Sequence, residues 1–476
     1  MSIHDSSSAI KPGFDPFIVS TSLDKPDGET RKFIRSHVMR GKNTRRGKRS
    51  KALAQRVEQR RDQWPPKERE QGEKQEERDD QEWILTTPRK IASELSLFGY
   101  VTDIKPYMLD LIARAFTVIK PATYTIETAL VEGTRDRVFC FSNVSQSPAM
   151  IHSVLFTAQA FHDLTIGASY GKVAQFHLAK TLYYLQRILD DGNEATTNTT
   201  MAVVTSLATA AAIFGDLETA AKHIDGLHRM VELRGGLKSL GQGSMIEHKA
   251  QRIDLGLAIG TGSKTRFFRE DISWSPSIAH GRPATRFPEL SLVHPRPDPR
   301  LLNIWADLRE FSRTANEATE TGVKMAPNIF SQLTTSVPHR LVSLQFDPTS
   351  LHELLRLCML AYMKSVLIQI EGIGKKMAFL AGRLKTALLA QQHPPHPEGA
   401  DILLWALFIA GLSIFEDFDR DWLRAAMGQA VLSLRLRTWE EARVVVKRFL
   451  WIDIVYEQPG KRLFEEWFVN SSRDGG

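Results

Sequence analysis

The chain has 476 residues, of which 42% are hydrophobic and 25% charged, with a net charge of +7. This apolar content allows a sizeable core, but the longest apolar run, Leu403–Phe415, has about 13 residues where a bilayer span needs roughly 20. We therefore expect a core helix there and no membrane span, and the start of the chain lacks the apolar segment of a secretory signal. The two cysteines, Cys140 and Cys358, exclude a disulfide framework and suit a reducing compartment.

Residues 1–82 are predicted to form a disordered, charged arm. Within it, residues 31–61 contain thirteen Lys and Arg against one acidic residue, Glu58, a charge of +12 that leaves about −5 on the rest of the chain. The basicity is thus local, as in an arm that meets a polyanion, and the polar alternation of residues 52–82 gives no apolar face on which a helix would pack.

From residue 83 onward the sequence predicts an all-α regulatory domain, an array of packed antiparallel helices extending to residue 476. Apolar residues recur at three- and four-residue steps, which is the period of an amphipathic helix. The predicted helices are 106–119, 148–164, 172–190, 199–214, 217–234, 244–257, 299–317, 350–371, 375–391, 400–415, 421–435 and 438–453. Two short stretches, 123–126 and 138–141, alternate as strands do, and residues 261–298 have the composition of a long surface loop.

The sequence of segment 216–240 predicts both the start and the end of a helix. Asp216 is placed to cap the first turn, and Gly235 with Gly236 is placed to end the helix, since glycine adopts left-handed backbone without steric cost. The predicted buried stripe comprises Leu217, Ala221, Ile224, Leu227, Val231 and Leu233, and the predicted ion pairs on the solvent face are Glu218–Lys222 and Asp225–Arg229.

The residues of this segment resemble the fungal-specific transcription factor domain family. The matching positions read Ala220-x-x-His-Ile-x-Gly-Leu-x-x-Met-Val-x-x-Arg-Gly-Gly-Leu237. A basic leader, Arg35-Ser-His-Val-Met-Arg40, resembles the start of one branch of that family. The run Leu403-Leu-Trp-Ala-Leu-Phe408 resembles its C-terminal helices, together with Gly411, Trp422 and Trp439. In outline the resemblance covers residues 17–60 and 100–455.

This resemblance implies a nuclear regulator whose helical body receives partners or signals. The better-known members read DNA through a zinc cluster built from six closely spaced cysteines, whereas this chain has two isolated ones. Sequence-specific DNA binding is therefore in question, and a scaffold or co-regulator that never contacts DNA is the alternative. A helical enzyme is a remote third hypothesis, because no nucleophile, metal or phosphate motif meets its structural context.

The basic run 31–51 has three interpretations: a nuclear import signal, an import signal that also contacts DNA phosphates, or a solvated tail. The candidate import or nucleic-acid residues are Arg35, His37, Arg40, Lys42, Arg45, Arg46, Lys48, Arg49 and Lys51. The predicted partners are an import receptor and other transcription regulators, while direct contact with DNA and a homodimer both stay open. We expect no cofactor and no catalytic activity, and we place the protein in the nucleus.

The remaining motifs in the sequence have structural explanations. Gly167-Ala-Ser-Tyr-Gly171 has the G-x-S-x-G spacing of a nucleophile elbow, but helical periodicity precedes it, which predicts a turn between helices. Residues 256–264 lack the second glycine of a phosphate loop, and neither His223 with His228 nor His393 with His396 has a third metal ligand nearby. The C-terminal aromatic residues are expected to pack in the core, with a ligand pocket as the alternative: Trp405, Phe408, Trp422, Trp439, Phe449, Trp451 and Trp467.

Overall fold

The computed structural model describes residues 99–131, 144–167, 169–241, 244–267, 273–280, 287–290, 296–367, 377–391, 399–415 and 420–469. All of them belong to one compact unit, residues 86–476. This part of the chain is helical, and its extended pairing is limited to a single bridge between Val131 and Met325. The all-α prediction is confirmed, while the predicted arm 1–82 lies outside the described residues.

Helices in the first half of this unit surround one hydrophobic core. In chain order they are α1 (Pro106–Arg114), α2 (Thr125–Leu130), α3 (Pro148–Thr165), α4 (Lys172–Asp191), α5 (Asn198–Ile213), α6 (Leu217–Leu233) and α7 (Met245–Thr261). The exception is α2, because its Ile126 and Leu130 belong to the second core described below. After α1 the chain continues through a π-helical turn, Ala115–Ile119, and a short helix, Lys120–Thr123. We call this the first core, and its centre includes Ile112, Met150, Leu155, Met201, Ile224 and Leu227.

The remaining helices surround a second core. They are α8 (Pro299–Thr321), α9 (Pro327–Ser343), α10 (Leu351–Leu367), α11 (Ala378–Ala390), α12 (Gly399–Ser413), α13 (Arg420–Ser433), α14 (Trp439–Val446) and α15 (Asp453–Phe464). The helix α12 lies at its centre, since nearly every residue from Ala400 to Ala410 is buried. The prediction of a core helix at 400–415 is thereby confirmed. None of the described helices is long and apolar enough to cross a bilayer.

The helix α7 belongs to both cores. Its Ile246, Ile253 and Leu257 lie in the first core, whereas Ile259 lies in the second. It packs against α5 and α6 on one side and against α9 and α11 on the other. One continuous helix therefore joins the two cores.

Two of the helices that were not predicted, α9 and α15, contain an internal proline. Pro338 lies within α9 and Pro459 within α15. Proline removes a backbone donor and clashes with the preceding turn, so it normally argues against a helix interior. Tertiary packing offsets that cost here, because Val337 and Leu341 beside Pro338 are completely buried.

The predicted helix 438–453 is divided by residues 447–452, so its second half was wrong. Asn316 of α8 explains the break, because its side-chain oxygen accepts from the Asp453 backbone N–H at 2.9 Å. Its amide also donates to the Trp451 carbonyl at 3.0 Å. One side chain thus caps the start of α15 and holds the residue before it extended.

The alternating stretch 123–126 belongs to helices, since Thr123 ends a short helix and Ile126 lies in α2. The other stretch, 138–141, lies outside the described residues. The described parts of 261–298 contain one short 3₁₀ turn, Pro288–Leu290, between irregular segments.

Candidate functional site

All nine candidate residues of the basic arm lie outside the described residues. They are Arg35, His37, Arg40, Lys42, Arg45, Arg46, Lys48, Arg49 and Lys51. Their role in import or DNA contact stays a prediction from the sequence. The structure bears instead on the helical body, where the other residues of the family resemblance lie.

The helix α6 ends as its sequence predicts. The Asp216 carboxylate accepts from the Thr219 backbone N–H at 3.0 Å, which satisfies a donor that has no partner within the helix. At the other end Gly235 and Gly236 have φ of 110° and 84°, and the Gly236 N–H donates to the Val231 carbonyl at 2.9 Å. The predicted cap and glycine stop are both confirmed.

Arg234, the arginine before the two glycines, ties α6 to the start of α5. Its guanidinium donates to the Asn198 side chain and, at 3.4 Å, to the Thr196 carbonyl. No pattern in the sequence indicates this contact, because its partners lie more than thirty-five positions apart. In the described structure the Arg-Gly-Gly signature therefore both ends α6 and anchors it to the start of the preceding helix, α5.

Two details of the α6 prediction were wrong. Leu233 is 73% exposed, because it lies two positions after the buried Val231, about 200° around the helix from the buried stripe. The carboxylate of Asp225 does not pair with Arg229 but accepts from Arg266, which also contacts the buried Asp254. The predicted pair Glu218–Lys222 is confirmed at 2.8 Å.

The G-x-S-x-G segment forms the turn between α3 and α4, as predicted. Gly167 has φ of 73°, and the Gly171 N–H donates to the Asp163 carboxylate at 2.7 Å. The other carboxylate oxygen accepts from the Gln159 amide at 2.8 Å. The residues are thus arranged to close a helix connection.

The C-terminal aromatic residues pack in the second core. Trp405 is completely buried and donates from its indole N–H to the Leu450 carbonyl at 2.9 Å. Its ring lies against those of Trp305 and Phe449, with centroids 5.4 and 5.5 Å away. Of the seven aromatic residues named above, Trp422 alone is only half-buried. The packing interpretation is confirmed for the other six.

The candidate metal and phosphate motifs lie in helices or outside the described residues. His223 lies in α6, where burial lowers its pKa to about 4. No cluster of three or more metal-binding side chains occurs among the residues that the structure describes. Residues 256–261 belong to α7, so they form helix rather than a loop, and His393 and His396 lie outside the described part. Cys358 is fully buried, which raises the pKa of its thiol.

A pair of buried histidines joins α3 to α4 in the first core. The Nδ1 atoms of His152 and His177 are 2.8 Å apart, and the Tyr107 hydroxyl lies 3.3 Å from Nε2 of His177. Tyr184 stacks on His152 with ring centroids 5.7 Å apart. One Nδ1 donates to the other, so the ring that accepts carries no proton on that nitrogen and is neutral. Burial and then His152 lower the pKa of His177 to about 3, and burial and then Lys180 lower that of His152.

This pair predicts that stability falls as the pH is lowered from 6.5. The unfolded chain takes up a proton on His177 near its ordinary pKa of 6.5, whereas the folded protein resists until about pH 3. Each such histidine gives a slope of up to about 1.4 kcal/mol per pH unit in that window. We expect His177→Gln to flatten the dependence of the unfolding free energy on pH between 6 and 4.

Denaturant titrations at several pH values would measure this slope. The difference between the variant and the natural chain at pH 8 gives the packing cost alone, since both histidines are neutral in either state there. A difference that stays constant from pH 8 to pH 4 would contradict the prediction.

A buried ion pair fixes one segment of the loop between α7 and α8. Asp307 of α8 and Arg340 of α9 are both completely buried and paired with each other. The carboxylate also accepts from the backbone N–H groups of Ser277, Ile278 and Ala279 at 3.0, 2.7 and 2.8 Å. A buried charge must be paired and hydrogen-bonded, and here the loop backbone completes its hydrogen bonding.

A second buried carboxylate, Glu353 of α10, binds two arginines. Arg356 donates to both of its oxygens at 2.7 Å, and Arg383 of α11 donates at 2.8 Å. Arg356 further donates to the Leu341 carbonyl at the end of α9 at 3.0 Å. This cluster links α9, α10 and α11 to one another, which is a structural role.

Comparison with known proteins gives no match: no family model, no curated protein and no solved structure matches the chain. The resemblance to the fungal-specific transcription factor domain family therefore stays a prediction. The described site chemistry consists of helix caps, buried histidines and buried ion pairs.

Proposed function

We propose that the protein is a nuclear transcriptional regulator with a helical body that senses a partner or a small ligand. The observation that carries this proposal is the occurrence of the leader 35–40 and the Arg-Gly-Gly helix in one chain. Either motif alone is unspecific. The helix supports the proposal further because α6 is capped, packs one face on the first core and is anchored through Arg234, so its signature lies in an ordered element.

The basic segment 31–51 supplies the route to the nucleus in this proposal. Ten cations and no acidic residue occur in its twenty-one positions, which suits the extended, cation-binding groove of an import receptor. The same guanidinium and ammonium groups would neutralise DNA phosphates, with a log–log salt slope of roughly 0.9 for each contact.

Deletion of 31–51 should abolish nuclear accumulation of the chain fused to a fluorescent protein too large to diffuse through the nuclear pore. The reason is that this deletion removes most of the local positive charge without touching the helical body. Quantitative microscopy of the nuclear-to-cytoplasmic ratio would measure the effect. Deletion of 62–82, a segment of equal length in the same arm, is the matched control and should leave accumulation intact. Unchanged accumulation without 31–51 would contradict the proposed role.

The alternative is a scaffold or co-regulator that reaches DNA only through another factor, which the small number of cysteines favours. Selection of bound sequences from a random duplex library at physiological salt distinguishes the two functions. Enrichment of a defined motif by the full chain would exclude the scaffold. Retention that is independent of sequence and fades steeply with salt would support phosphate contact alone. No retention would favour the scaffold.

A further inference from the structure

The outer face of α4 is apolar and exposed. This helix packs mainly against α3, so the side opposite α3 faces solvent. Phe176 and Tyr183 are 47% and 52% exposed there, and Leu182 beside them is 44% exposed. Large apolar side chains grouped on one face mark an interaction surface more often than single scattered ones do.

A stripe of six residues runs along the middle of this face at steps of four, three, four, three and four. They are Lys172, Phe176, Ala179, Tyr183, Gln186 and Asp190. Such spacing keeps side chains on one side of a helix. Five of the six are exposed and Gln186 is half-buried, so the whole stripe is accessible in the described structure.

The order of side chains along the stripe is complementary to the same stripe running in the opposite direction. If a second copy of α4 lies antiparallel to the first and centred on Thr181, Lys172 faces Asp190 of that copy. In the same register Ala179 faces Tyr183 of the second copy, which sets a small side chain against a large one. Phe176 faces Gln186 of the second copy, and twofold symmetry repeats each contact, so two ion pairs flank a centre of aromatic and small side chains. A parallel arrangement would instead set like charges side by side.

The cations on this helix also bear on the choice of partner. Lys180 lies 5.9 Å from the ring centroid of Phe176 and 5.8 Å from that of Tyr183, and Arg187 lies 5.8 Å from the latter. Aromatic rings interleaved with cations also suit a nucleic-acid strand. The exposed Asp190 ends the same stripe and would repel a polyanion. The charge pattern thus fits a second copy better than a nucleic acid.

We infer that α4 is a homodimer interface, in which two copies pair antiparallel through this stripe. A helix of 20 residues is about 30 Å long, so one helix pair makes an interface at the small end of specific contacts. The dimer is therefore weak, with a dissociation constant on the order of micromolar.

Charge exchange across the stripe tests the register. Sedimentation velocity of the full chain over a range of micromolar concentrations at low salt would give the dissociation constant. Lys172→Asp alone replaces each of the two ion pairs with a pair of facing aspartates. It should raise the dissociation constant of the dimer about tenfold. Asp190→Lys alone should weaken it similarly. The double variant K172D/D190K restores opposite charges in every pair and should return the dissociation constant to nearly its original value.

Lys238→Asp is the control, because it makes the same charge change at an exposed position outside the stripe. It should leave the dissociation constant unchanged, and circular dichroism would verify that every variant is folded. A chain that stays monomeric throughout the range would overturn the inference. So would a dimer that neither single exchange weakens, or one that the double exchange fails to restore. A monomer whose binding to a single-stranded oligonucleotide is lost with Phe176→Ala would assign the face to nucleic acid instead.

Discussion

Replacing Asp307 with asparagine should lower the free energy of unfolding by about 3–5 kcal/mol. The substitution keeps the size of the side chain but removes the charge that neutralises Arg340, and both residues are completely buried. A guanidinium left without its counterion in the interior bears its full desolvation cost. The backbone N–H groups of the segment 277–279 now share two carboxylate oxygens as acceptors. An asparagine amide would leave them only one acceptor oxygen.

Chemical denaturation at neutral pH would measure this loss. Glu218→Gln is the control, since it removes the charge from an ion pair whose side chains are 75% and 40% exposed. That variant should cost less than about 1 kcal/mol, because exposed pairs are screened by water. Arg340→Met should cost less than Asp307→Asn, since Asp307 would keep its three backbone donors. Equal, small costs for all three variants would show that the buried pair does not stabilise the second core.

Replacing Gly460 with alanine should destabilise the protein, although alanine is the better helix former. A Cβ atom at this position of α15 would lie 2.8 Å from Cη2 of Trp439 and 3.2 Å from Cη2 of Trp451. Both indole rings are buried and packed on neighbouring aromatic rings, so they have little room to move. Overpacking of this kind costs about 1–3 kcal/mol, which exceeds the gain in helix propensity of about 1 kcal/mol.

Gly382→Ala provides a control of the opposite sign. Gly382 lies in α11, is exposed, and has nothing within 4 Å of its would-be Cβ atom. The same substitution there should stabilise the protein by roughly 0.5–1 kcal/mol, because it reduces only the backbone freedom of the unfolded chain. Thermal unfolding of both variants would measure the contrast. A stabilising Gly460→Ala would mean that the tryptophan rings yield easily.

The helical array was predictable because most of its helices have one apolar side and a readable end. The cap at Asp216 and the stop at Gly235 depend on residues adjacent in sequence, so local chemistry decides them. The helices α9 and α15 were missed because their prolines violate the local rule, and only packing against distant residues offsets that cost. Leu233 is apolar but falls outside the three- and four-residue spacing of the stripe, and it is exposed.

The buried polar centres could not be predicted from sequence. Asp307 pairs with Arg340 across 33 positions, and His152 meets His177 across 25. Aspartate and arginine are usually exposed, and a histidine is often buried without any special role. Only the fold brings these partners together. The one available signal was a charged residue inside an apolar helical stretch, as with Asp307 beside Trp305 and Leu308. The basic arm is the opposite case, since its proposed role depends on composition alone.

The helix α7 limits how the body can be divided. Because it carries Leu257 in the first core and Ile259 in the second, a break in the chain within 262–298 would separate the two halves covalently without separating their packing. The C-terminal half would still need α7, which lies on the other side of the break, to cover α9 and α11. Neither half is thus an independent folding unit. Two fragments divided within that loop would have to associate to complete the second core, so they would not behave as two separate domains.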